Sequence, residues 1–466
     1  MARRDLTTGS IPGHFRALAI PTAIGMVFTT LYNVVDVYYA GMLSTEAQAG
    51  LAISFQVFFV LIAIGFGLST AMGALVGNAL GEKSERESVI ASQGLSFGLI
   101  VAILGVGLGW VFSPALIGII SEPGAYRDAA NAYLGLLIFA APAFLISYGA
   151  NGILMAQGDT KSMQYANIGA FFANVVLNPL FIFGLGPWDG IGFNGIALST
   201  LVSQYSVMAF ILWRVFRSEA MQGERQWKPD LALFGEIAGQ ALPASFAMIV
   251  MMIAGFVIQF FLKGFGGEAV AAYGVALRIE QLLLLPAFGL TGALLPIASQ
   301  NFGARDFDRV RAASMFCFKT GVILMLGAAC VLWFAAGPAM AVFTDDPEVI
   351  AIGKSYLHVD GFILPVYVML FAINSLLQAF KKPVYTLWIS LYRQGIGVAL
   401  FAWLFVRVFD LGYVGVWFGV ATAVTTGFVL SLVIVEWVAR HLMGGLFLTV
   451  AREGASNTPK LIDRNP

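Results

Sequence analysis

Twelve apolar stretches, each longer than about 20 residues and separated by short polar breaks, run the length of this 466-residue chain. A helix of about 20 apolar residues crosses roughly 30 Å of hydrocarbon, and in lipid each segment must satisfy its own backbone hydrogen bonds. The sequence therefore predicts an all-α membrane protein of twelve transmembrane helices. Its spans fall at 15–40, 51–80, 88–113, 131–156, 165–186, 193–217, 235–262, 270–302, 312–337, 352–380, 384–409 and 412–440. Charged residues make up 11% of the chain and hydrophobic ones 59%. Soluble domains carry about 25% and 45–50%, so a water-soluble fold is excluded.

The placement of charge orients the spans. With loops assigned alternately to two sides, nineteen Lys and Arg collect on one side, from Arg3, Arg4 and Arg16 to Arg452, Lys460 and Arg464. Four collect on the other, Arg127, Lys263, Lys354 and Arg407. The basic side is expected to be cytoplasmic and to hold both termini. Its longest loop, from Arg214 to Asp230, divides the chain into a lobe at 1–217, a linker at 218–234, a second lobe at 235–441 and a tail at 442–466. The lobes read as copies. A shift of 222 residues lays Pro21 on Pro243, Phe66-Gly67-Leu68 on Phe288-Gly289-Leu290, and Gly81 on Gly303; a shift of 223 lays Tyr133 on Tyr356 and Asn151 on Asn374. Each copy has an even number of spans, so both enter from the same face. Two pseudo-twofold related six-helix bundles around a central cavity, rocking to give alternating access, are the expected architecture.

Other chemistries find little support. Formal net charge is zero, with no basic stripe for nucleic acid. Cys317 and Cys330 stand nearly four helical turns apart and are read as buried thiols; His14, His358 and His441 are scattered. No metal site, no cofactor and no enzyme are expected, because no nucleophile-and-base pair or ligand set falls at helical spacing within the spans. The apolar run after Gly13 is too long for a signal peptide and reads as a retained first span.

Embedded charge marks where function resides. An ionised group at mid-membrane costs about 2.5–3.5 kcal/mol on insertion scales. The first lobe holds one acid inside a span, Asp36, with no embedded Lys or Arg to neutralise it. Burial disfavours its charged form, so it is expected to carry a proton part of the time; alternatively it lies at the outer rim, five residues from Gly41, and is wetted. One stripe of its helix presents Tyr32, Thr29, Phe28 and Gly25, a phenol, a hydroxyl, a ring and a gap. Pro21 in the same helix permits a hinge. On the fifth span Asn174 and Asn178 lie one turn apart before Pro179, offering amides to a titrating carboxyl or serving as interhelical glue. Tyr133, Asn151, Ser199, Thr200 and Gln204 are weaker candidates of the same kind.

In the second lobe the repeat places Ile258 where Asp36 stands. Its embedded charges are Arg278, Glu280, Lys319, Asp360 and Arg393, with no role assigned by the sequence. Met248, Met251, Met252 and Phe256 form a soft, polarizable stripe that suits varied apolar ligands or fills a core.

Four motifs in order, Pro21…Asp36…Ala40-Gly41, Gly77 to Lys83, Leu154 to Lys161, and Asn174…Asn178-Pro179, resemble the multidrug and toxic compound extrusion (MATE) antiporters. The likeness covers nearly the whole chain. The acids of that family's sodium-coupled type are replaced here by Met251 and Tyr367, which makes the sequence similar to the DinF branch. The resemblance implies that Asp36 couples transport, that Pro21 is the hinge of the first helix, and that Tyr133, Asn174 and Thr200 belong to the acid's hydrogen-bond network. It implies that Tyr32 and Asn151 line the drug cavity; Phe28, Thr29, Met251 and Phe256 join them as candidate substrate contacts. Asn178 stands where some relatives carry a second aspartate, leaving few hard ligands for sodium and favouring a proton as the coupling ion. The implied function is proton-coupled export of amphipathic, often cationic, aromatic compounds by a monomer in the bacterial inner membrane. A lipid-linked sugar flippase and sodium-coupled export are the alternatives.

Overall fold

The computed structural model describes residues 4–447 and has no strand among them. Twelve helices are long and apolar enough to cross a membrane: α1 Ile11–Leu43, α2 Thr45–Gly81, α3 Glu87–Ile120, α4 Ala125–Ala156, α5 Lys161–Phe183 and α6 Asn194–Phe216, then α7 Leu231–Phe265, α8 Gly267–Gly303, α9 Phe307–Ala341, α10 Pro347–Ala379, α11 Pro383–Val408 and α12 Gly412–Met443. The sequence-predicted count holds, and most helices run several residues past the expected spans. Hydropathy senses only the hydrocarbon slab, whereas a helix continues until a side chain caps it. Ser10, Ser44, Asp230, Asp306 and Asp346 do so, each accepting hydrogen bonds from backbone N–H groups of the first turn. Most of the expected tail, 442–466, and the basic residues Arg3, Arg452, Lys460 and Arg464 lie outside the described residues.

Two spans depart from regular α-helix. In α4 a 3₁₀ turn at Ile138–Ala140 precedes Pro142, whose missing N–H and ring disturb the preceding turn. In α11 the segments Leu391–Gly397 and Leu404–Val408 widen to π-helix. A π turn adds a residue per turn and re-aims side chains, here Arg393.

The helices α1–α6 and α7–α12 form two lobes that meet through α1, α2, α7 and α8. Near the basic face α2 crosses α8 so closely that a Cβ on Gly81 would strike the carbonyl of Gln300, and one on Gly303 would strike the carbonyl of Asn78. The internal repeat superposes these two glycines, so the duplicated sequence supplies one to each side of the crossing. Beside the crossing, Asn78 Nδ2 donates to the carbonyl of Ala379, the last residue of α10, at 3.0 Å. The segment between α6 and α7 is pinned to α3: Gln93 donates to the carbonyls of Gln226 and Lys228 at 2.6 and 2.7 Å and accepts from the Asp230 N–H at 3.0 Å.

Three expectations about side-chain placement are corrected. Cys330 is exposed and only Cys317 is buried, because thirteen residues of helix turn the two to different sides. Arg278 and Lys319 are exposed, while Glu280, Asp360 and Arg393 are buried. Arg278 and Glu280 are two residues apart on one helix, which sends them to different faces. The gap expected at Gly25 is filled by the side chain of Gln164.

Candidate functional site

Asp36 is fully buried on α1, which lies against α5. The 3.6-residue repeat brings Asn174 and Asn178 to one face of α5, and both amides reach the same carboxylate oxygen. Asn174 Nδ2 donates to Asp36 Oδ1 at 3.0 Å and Asn178 Nδ2 donates to it at 2.9 Å. From α6, Thr200 Oγ1 donates to Asp36 Oδ2 at 3.3 Å. Asn178 Nδ2 also donates to Asn174 Oδ1 at 3.1 Å, and Asn174 Nδ2 to Ser199 Oγ at 3.4 Å. Three helices thus converge on one acid through neutral groups.

Around this centre lies unspent hydrogen-bonding capacity. Tyr32, one turn below Asp36, has a buried hydroxyl with no partner; so has Tyr133 of α4, whose ring stacks on Phe193 at 5.1 Å. Ser203 Oγ and Asn178 Oδ1 are likewise buried and unpartnered. A carboxylate is satisfied by the three donors already present. A protonated Asp36 needs an acceptor instead, and Asn178 Oδ1 and the two phenols are the uncommitted groups nearby. Ser203 carried no sequence signal beyond lying one turn from Ser199.

The remaining sequence-chosen residues are more dispersed. Phe28 packs edge-on against Phe171 at 5.6 Å and lies 6.3 Å from Phe172. Thr29 is accessible, bonds back to the Gly25 carbonyl at 3.0 Å, and lies 3.4 Å from Asn167 Nδ2. Asn151 on α4 donates to Met155 Sδ at 3.4 Å and is not joined to the Asp36 network. Met251 and Phe256 on α7 are exposed. Pro21 lies within α1 one turn above Leu18, whose carbonyl accepts from Thr22 Oγ1 at 2.8 Å and from Thr160 Oγ1 at 3.1 Å. Thr160 therefore tethers the proline turn to the α4–α5 loop, a contact invisible in sequence. The sole carboxylate of the Asp36 network is Asp36 itself, and no group of three or more His, Cys, Asp or Glu gathers as a metal site among the described residues.

The second lobe holds a different cluster. Tyr356 of α10 donates to Glu280 Oε2 of α8 at 2.6 Å. Neither carboxylate oxygen of buried Asp360 has a partner, and Arg393 Nε has none. The Arg393 guanidinium sits 5.9 Å over the Tyr367 ring, and Tyr273, Tyr356 and Trp417 pack together around the cluster.

The sequence profile of the MatE family matches residues 21–180 and 243–404. Those two stretches begin at Pro21 and Pro243, the prolines that the internal repeat superposes. The chain is 26% identical to a protein of Shewanella oneidensis named FAD transporter, over 84% of this chain and 87% of that one. It is 25% identical to the multidrug export protein MepA of Staphylococcus aureus, over 78% and 80% of the two chains. Among solved structures, a MOP superfamily transporter from Pyrococcus furiosus superposes with TM-score 0.86 at 23% identity, covering 94% of this chain and 97% of that one. A multidrug resistance MATE family transporter solved in an outward-facing conformation gives 0.85 at 24%, covering 93% and 98%. These likenesses support the fold.

Proposed function

The chain belongs to the MatE family, whose members are membrane transporters and not enzymes, and on that premise we propose that it is a multidrug exporter driven by protons through Asp36. The observation that carries the reading is the lone buried acid held by donors from two other helices. Exchange needs a group that takes a proton on one side of the membrane and yields it on the other. Asp36 has three donors for its ionised form, and buried hydroxyl and amide oxygens without partners lie around it to be recruited by its protonated form. A second carboxylate, which would favour a hard cation, is absent from the network; amides and hydroxyls surround the acid instead.

In the proposed cycle, protonation removes the cost of burying a charge, α1 repacks about Pro21 against α5, and the first lobe expels its ligand. A ligand or proton shifts such an equilibrium only by its differential affinity for the two states, and tenfold corresponds to about 1.4 kcal/mol. Substrates are proposed to be amphipathic, often cationic, aromatic compounds, with Phe28, Met251 and Phe256 supplying apolar contact. The setting is the inner membrane of a bacterium, as its bacterial relatives suggest, with the basic face in the cytoplasm. A relative named FAD transporter favours a second reading, in which the cargo is an anionic flavin nucleotide.

The test is substrate-induced proton movement in sodium-free proteoliposomes, run in parallel with a cationic aromatic dye and with a flavin nucleotide. The proposal expects counter-movement of protons with the dye. Transport only after sodium is added would end proton coupling, and transport of the flavin alone would replace the cargo.

A further inference from the structure

We infer that residues 4–10, the segment ahead of α1, form a strap that latches the two lobes together on the basic face, and that its release is part of opening that face. The segment is bound to both lobes at once. On the first lobe the Arg4 N–H donates to the Gln157 carbonyl at 3.1 Å, beside Gly158. On the second lobe Leu6 is fully buried and packs into that lobe's apolar core. Its N–H donates to Gln300 Oε1 at 3.0 Å, and its carbonyl accepts from Asn301 Nδ2 at 3.0 Å and Arg309 Nη2 at 3.2 Å.

Arg309 is the hub. Besides Leu6, its guanidinium donates to the carbonyls of Thr8 at 3.3 Å and Gly9 at 3.1 Å, and its Nε donates to Asn301 Oδ1 at 3.1 Å. One side chain therefore gathers three carbonyls of the strap, those of Leu6, Thr8 and Gly9. Gln300 completes the bridge, since the amide that receives the strap also donates to the Ala156 carbonyl of the first lobe at 2.6 Å. The strap is folded on itself as well: Thr7 caps onto Asp5 Oδ1, and His14 at the start of α1 accepts from Arg4 Nε at 3.2 Å through Nδ1 and contacts the Thr8 carbonyl through Nε2. Such bonds shape the segment, while its contacts with Gln157 and with Gln300, Asn301 and Arg309 join the lobes.

The consequence is mechanical. The lobes cannot separate at this face while Arg4 holds Gln157, Leu6 holds the α8 end, and Gln300 holds Ala156. The inference rests on the alternating-access reading for its use, and on the contacts alone for its existence. It is tested with the full chain in lipid nanodiscs, with Cys317→Ala and Cys330→Ser, carrying spin labels at Lys161→Cys and Ala304→Cys on the basic face and, in a second sample, at Glu122→Cys and Asp345→Cys on the opposite face. Wild type is compared with Arg309→Met, with Arg309→Lys and with deletion of residues 2–7, each first checked for cooperative thermal unfolding. Loss of the latch should raise the population of long basic-face distances at least threefold in the deletion and in Arg309→Met, with Arg309→Lys between them and wild type. Unchanged basic-face distances in folded Arg309→Met and deletion proteins overturn the latch. The underlying reading fails differently: if the deletion parts the basic face without shortening distances on the other, the latch stands and rocking falls. If wild type interconverts on both faces and the deletion changes nothing, rocking stands and the latch falls.

Discussion

The two lobes each bury an aspartate, and the surroundings differ. Asp36 receives three hydrogen bonds from two asparagines and a threonine. Asp360 receives none, and shares its pocket with Glu280, Arg393 and a shell of aromatic rings. In the first lobe one group holds the charge and neutral dipoles adjust around it, so a single proton changes the state of the whole network. In the second lobe three ionisable side chains are buried together, so a change in the charge of one alters the field on the others. Duplication kept the scaffold, as Pro21 with Pro243 and Gly81 with Gly303 attest, while the chemistry diverged: buried Ile258 occupies the repeat position of Asp36. The difference teaches that duplication preserved the backbone framework of the lobes and not the polar groups buried inside them.

The strongest way to break this comparison is Asp36→Asn. Asparagine keeps the shape and cannot titrate, so substrate-induced proton movement should vanish while dye binding, measured by fluorescence polarisation, stays measurable. Persistent proton coupling in that variant would transfer the role to Glu280 and Asp360. The next effect is on stability. Arg393→Met removes the buried cation packed over Tyr367, which forms no ion pair with Glu280 or Asp360, and should cost about 1–3 kcal/mol, the range for losing a well-packed buried side chain. Asp360→Asn should cost less than Asp36→Asn, because neither oxygen of Asp360 has a partner to lose, whereas Asp36→Asn should cost about 1 kcal/mol, the worth of an ordinary hydrogen bond. Thermal unfolding in detergent reads all three, and equal losses in both lobes would erase the distinction.

The paired prolines sharpen the comparison further. α1 carries both Pro21 and Asp36, whereas α7 carries Pro243 and the apolar Ile258, so Pro21→Ala should reduce pH-dependent movement of labels on α1, and Pro243→Ala should leave it near wild type. Equal responses from the two would make the hinge a property of the scaffold and not of the acid. The smallest effects belong to the acid's donors. Asn178→Ala removes two hydrogen bonds, one of them to the carboxylate, and should slow pH-driven dye export roughly tenfold, as expected for a charge-assisted bond of about 1.5 kcal/mol. Thr200→Val removes the longer bond at 3.3 Å and should slow it by less than about threefold, the effect of a bond worth about 0.5 kcal/mol. A reversed order would mean that the hydroxyl, and not the amide, sets the state of Asp36.

Sequence by itself determined the membrane class, the twelve spans, the doubled six-helix unit and Asp36 as the one embedded acid of its lobe. These depend on composition, length and periodicity, which hydrocarbon thickness and the backbone's need for internal hydrogen bonds make legible along the chain. Asn174 and Asn178 were legible for the same reason, because two amides one turn apart announce a common face. Tertiary structure alone decided which groups meet across helices. It left Asn151 outside the acid's network, filled the notch at Gly25 with Gln164, tethered the proline turn through Thr160, and gathered Glu280, Asp360 and Arg393 around tyrosines from separate helices. It turned Arg278 and Lys319 outward, and bound Leu6 to Gln300, almost three hundred residues away. Such pairings depend on helix rotation and crossing, and these are set by the packing of side chains against neighbours distant in sequence. The π turn at Leu391–Gly397, which carries buried Arg393, was likewise not read from the order of residues.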